Sequence, residues 1–90
     1  MLTQDRYRLQ RGSRWGVWDQ PVQLLLAGNV ESIGSPTEAL SLMSSRWPGD
    51  TNSSYRKARR ECSNFFKRKA SSNQVRVAFV TAAAQAGLLH

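Results

Sequence analysis

The chain has 90 residues, a net charge of +7 and 40% hydrophobic residues, which suits one small domain around a single core. Its one cysteine, Cys62, excludes an internal disulfide, and its longest aliphatic run, Leu24 to Ala27, is far too short to cross a bilayer. With no secretory signal expected, these features point to a cytoplasmic protein without a membrane partner.

Residues 1–14 are polar and carry +3, which predicts a flexible basic arm ahead of one domain over residues 15–90. From Pro21 the pattern changes. Val22, Leu24 and Leu26 alternate with Gln23 and Leu25, the period of a half-buried strand. Gly28-Asn29 is a turn signal, and the stretch from Val30 to Ile33 can pair back to complete a hairpin. Asp19 and Glu31 could approach each other across it.

The first helix is announced by Ser35, Pro36 and Glu38. A serine at the cap, a proline at the first helical position and a glutamate three residues on make a capping box. Ala39, Leu40, Met43 and Trp47 recur at helical spacing until Pro48-Gly49 stops the run. A second helix is expected after a cap at Ser53 or Ser54. Tyr55, Ala58, Cys62, Phe65 and Phe66 fall on one side of it, with Arg56, Lys57, Arg60, Lys67 and Arg68 on the other. The third helix starts near Ser71 and ends at Gly87, a glycine suited to a left-handed C-cap. It is apolar nearly all round, so it belongs at the centre of the fold. The expected class is α+β: an N-terminal β-hairpin, with a third short strand left open, packed against three helices. Phe65, Phe66, Phe79, Leu40, Met43 and Val22 are the expected core.

The order of these signals resembles DUF982, a small, mainly rhizobial domain of unknown function. The resemblance rests on Pro21-Val22, on Ser35 to Leu40 through Trp47-Pro48, and on Tyr55, Ala58 and Cys62. Arg76, Phe79, Ala82, Ala83, Ala86 and Gly87 complete it, so that it spans about residues 18–88. It implies an architecture and a bacterial cytoplasmic setting, but no activity and no catalytic residue. The basic second helix and the arginine-rich arm depart from the family's usual appearance.

Residues 56–69 alone carry +6, against −3 over residues 15–55. Such a face can displace counterions from phosphates, which makes Arg56, Lys57, Arg60, Lys67 and Arg68 the candidate nucleic-acid-binding residues. Against that stands the common case, in which a charged helix face is merely solvated. Trp15 and Trp18 could stack on bases, although tryptophans of a small domain more often close its core. Cys62 falls on the buried stripe, where cysteine behaves as a small hydrophobe. His90, the only histidine, is terminal and expected to fray. One cysteine and one histidine supply no metal site, the carboxylates are dispersed, and no glycine pattern makes a phosphate loop. The sequence therefore predicts no enzyme, cofactor or small-molecule ligand. It leaves two functions open: a sequence-tolerant nucleic-acid binder, or an adaptor for a protein or a second copy through the hairpin edge or an apolar patch.

Overall fold

The structure, a computed structural model, describes residues 16–90; the basic arm expected over residues 1–14, and Trp15, lie outside the described residues. The strands β1 (Val22–Leu26) and β2 (Asn29–Ile33) form an antiparallel hairpin, with Val22 opposite Ile33 and Leu25 opposite Val30. Val22, Leu24 and Leu26 point into the core and Gln23 and Leu25 point out, as the alternation requires. The turn lies one residue earlier than Gly28-Asn29. Its central residues are Ala27 and Gly28, at φ 52° and 83°, and Asn29 already pairs with Leu26. Two positive φ values in succession give a two-residue turn the twist that its flanking strands need.

Among the described residues the sheet has two strands, and in place of a third strand a single bridge joins residues 88–90 to β1. Leu89 bridges Leu24, the Leu25 amide donates to the Leu88 carbonyl at 2.8 Å, and the His90 amide donates to the Gln23 carbonyl at 3.0 Å. The backbone of His90, expected to fray, is thus tied to the edge of β1 that faces away from β2.

Helix α1 (Pro36–Ser45) starts at Ser35, whose hydroxyl accepts the Glu38 amide at 3.2 Å. Glu38 does not complete the expected box. Its carboxylate takes the Gly34 amide at 2.8 Å, because Gly34 lies past the last strand pair and needs another acceptor. The helix ends before Trp47, since a residue preceding proline is kept out of helical geometry. Leu42 and Met43 face the core, while Leu40 is only half-buried.

Helix α2 (Ser53–Phe66) is capped by Asn52, not Ser53 or Ser54: the Asn52 side chain accepts the Tyr55 amide at 3.1 Å. Ser54 instead donates to Gln85 at 2.7 Å, tying the start of α2 to the end of helix α3 (Ser72–Gln85). Tyr55, Ala58, Cys62 and Phe65 are buried, but Phe66 lies 37% exposed, edge-on to Phe65 at 5.2 Å. Helix α3 has a complete capping box between Ser71 and Gln74, and it packs on α2, α1 and β1. Its buried residues Ala78, Ala82 and Ala83 are small enough for close approach of its neighbours. Phe79 is fully buried, with Trp18 at 6.0 Å and Trp47 at 6.3 Å. The opposite side of α3 is not covered; Val77 is 58% exposed there. No helix among the described residues is long and apolar enough to cross a membrane.

Candidate nucleic-acid interface

The basic face is built by the burial of the other side of α2. Packing against α3 and α1 fixes Tyr55, Ala58, Cys62 and Phe65 inward, which leaves the remaining residues outward by the geometry of the helix. Arg56, Lys57, Arg60, Lys67 and Arg68 are all exposed. At 100° per residue, Arg56, Arg60 and Lys67 lie within about 40° of one another around the axis, in a line roughly 16 Å long. Lys57 stands beside that line. About 16 Å of duplex axis carries roughly five phosphates per strand, so the line matches a backbone in length.

Arg68 leaves the line. It follows the C-cap residue Lys67 in a left-handed conformation, φ 63°. There the Arg68 amide donates to the Phe65 carbonyl at 3.0 Å and the Lys69 amide to the Asn64 carbonyl at 2.7 Å, the two bonds of a Schellman cap. Its backbone therefore turns off the helix path, which a continuous helical wheel does not anticipate.

Among the described residues, the one ion pair is Glu31 with Arg46, so none of the five cations is neutralised by a carboxylate there. Arg56 donates one bond to the Thr51 carbonyl at 2.7 Å, leaving other guanidinium donors facing solvent. Arg59 is drawn off instead. It donates to the Tyr55 hydroxyl at 3.3 Å and lies over that ring, 5.8 Å from its centroid. The Tyr55 hydroxyl in turn donates to the buried Met43 carbonyl at 2.7 Å. Beside Lys57, a groove of about 300 Å³ runs between α2 and α3, with Glu61, Gln74, Val77 and Thr81 along it.

Several residues weighed in the sequence have other roles here. Trp18 is buried, and its indole N–H donates to the Ser72 carbonyl at 3.0 Å. Trp47 packs on Tyr55 at 5.5 Å between ring centroids. Cys62 is fully buried, and desolvation pushes its thiol up to about 11 despite the nearby Arg59 charge. Glu31 does not meet Asp19; its carboxylate receives two bonds from the Arg46 guanidinium, at 2.8 and 3.1 Å. That bidentate pairing holds the Glu31 carboxyl below its ordinary value. No local spacing connects residues 31 and 46, so the sequence carried no signal of the pair.

Fold and surface together define a small α+β domain: a hairpin on a three-helix core, with one helix sorted into a buried apolar side and an exposed cationic side. The chain belongs to the DUF982 family of proteins of unknown function, whose model matches residues 20–90. No curated protein and no solved structure matches the chain.

Proposed function

We propose that this chain is a cytoplasmic bacterial binding module without chemistry of its own, which holds nucleic acid by its phosphates and without sequence preference. Arg56, Lys57, Arg60, Lys67 and Arg68 make the contact. One observation carries this reading: α2 buries its apolar side, while its exposed cations have no carboxylate partner among the described residues. Exposed ion pairs add little stability, so leaving these cations without a carboxylate partner costs the fold little and keeps them available to phosphate. Phosphate contact of this kind is driven by counterion release.

The test is fluorescence anisotropy of a mixed-sequence duplex against salt. Up to five phosphate contacts give a log–log slope of about −4 to −5, so affinity falls by two to three orders of magnitude between roughly 50 and 200 mM salt. Replacing Arg56, Lys57 and Arg60 together by Gln reduces the slope by about 2 to 3. No binding at the lower salt, or an unchanged slope in the triple variant, rejects this interface.

A further inference from the structure

We propose that two copies of this chain join along the free edge of β2, making one antiparallel sheet across a two-fold axis at Glu31. The hydrogen-bond pattern of the hairpin identifies the edge. The Leu25 amide and the Gln23 carbonyl point away from β2, to residues 88–90. In an antiparallel ladder their partners Val30 and Ser32 must then turn their own N–H and C=O groups outward on the other side. These groups have no partner among the described residues. The edge stops at Gly34, whose carbonyl accepts the Trp18 amide at 2.8 Å and whose amide is held by Glu38. One edge of the sheet is therefore closed by the C-terminus, and the other presents two donors and two acceptors.

That set is its own complement. With Glu31 on the axis, Val30 lies opposite Ser32 of the partner subunit and Ser32 opposite the partner's Val30, which satisfies all eight groups in four hydrogen bonds. Sheet edges are commonly guarded by a charge, a proline or a bulge. Here Glu31 is the only charge on the strand, and Arg46 neutralises it from within the same copy. On the outer face Val30 and Leu25, 51% and 45% exposed and directly opposite each other, leave an apolar pair at the seam, where Val30 would meet the partner's Ser32 directly and the partner's Val30 on the diagonal.

Charge favours a second copy at this place. Residues 16–34 contain Asp19 and Glu31 and no lysine or arginine. The basic helix α2 packs mainly on α3 and α1. Copies that meet at β2 thus keep their +6 segments apart and present two basic faces from one particle. The contact is small, so the dimer is a weak one.

The full chain is studied by sedimentation and by amide hydrogen exchange over roughly 10 μM to 1 mM, the range where a weak contact shows. The expected result is a monomer–dimer equilibrium, with protection at Val30 and Ser32 that grows with concentration. Ser32→Pro removes an outward amide that the hairpin ladder does not use, so it should leave folding intact. It eliminates two of the four bonds and should raise the dissociation constant about tenfold or more. Val30→Lys, a charge on an exposed edge position, is the second variant and should have the same sense. Arg46→Gln exposes two unneutralised carboxylates at the axis and should also weaken the dimer. A monomer at the highest concentration, protection independent of concentration (as residues 1–15 docking on their own hairpin would give), or a dimer unaffected by both edge variants overturns the proposal.

Discussion

Arg68 is the residue at which backbone conformation and surface charge can be separated. It occupies the left-handed position of the α2 cap at φ 63°, where a Cβ crowds the following carbonyl. The cap of α3 has the same bonds and places Gly87 there, at φ 72°. A non-glycine residue in this conformation costs about 1–2 kcal/mol. Glycine relieves that cost but loses about 0.5–1 kcal/mol through the greater freedom of the unfolded chain. Arg68→Gly should therefore stabilise the domain by about 0.5–1 kcal/mol. For a domain of this size, that raises Tm by about 2–8 °C. Arg68→Ala loses the same charge but keeps the Cβ, so it should melt at or near the parent temperature. Chemical denaturation of both variants, with unchanged m-values, makes the comparison. If the glycine and alanine variants unfold together, or if glycine is the less stable, the account of the cap is wrong. Both should lose the same increment of salt-dependent affinity for a duplex, about 0.9 in slope, if Arg68 contacts phosphate.

Phe79→Ala should cost about 3–5 kcal/mol, because the ring is fully buried at the meeting of Trp18 and Trp47. Near-parental melting with unchanged tryptophan fluorescence would count against this core. Tyr55→Phe should cost about 1–3 kcal/mol by leaving the Met43 carbonyl without its buried donor, and a cost near zero would mean that another donor reaches it. Glu31 has a folded pKa depressed below its ordinary 4.5 by Arg46, so its stabilising contribution is present above that value. It should be lost as pH falls through the lower folded pKa. In Glu31→Gln the acid limb of a stability–pH profile should flatten there; an identical profile would show that the pair contributes nothing.

Features whose causes are local were legible before the chain folded. Alternation at Val22, Leu24 and Leu26 forces one face of β1 inward, because side chains alternate along any extended chain. Ser35 and Ser71 cap their helices because a side-chain oxygen there reaches an amide three residues on. The sorting of α2 into an apolar and a cationic side is likewise a matter of helical spacing, and it made the outward position of Arg56, Lys57, Arg60 and Lys67 legible in advance, though not the turn of the backbone at Arg68. Local reasoning failed where two local solutions were close in energy. Leu40 and Leu42 are two residues apart, and only the docking direction of α1 selects Leu42 for the core. Phe65 and Phe66 are adjacent, and a helix can bury only one of them fully against a single partner. Other features were beyond any local pattern. An isolated bridge brings Leu89 to Leu24, Arg46 reaches Glu31, and the Tyr55 hydroxyl finds the Met43 carbonyl. Each joins groups that only the folded chain brings together, and each meets a demand, a strand edge, a charge or a buried carbonyl, that does not exist until the tertiary structure creates it.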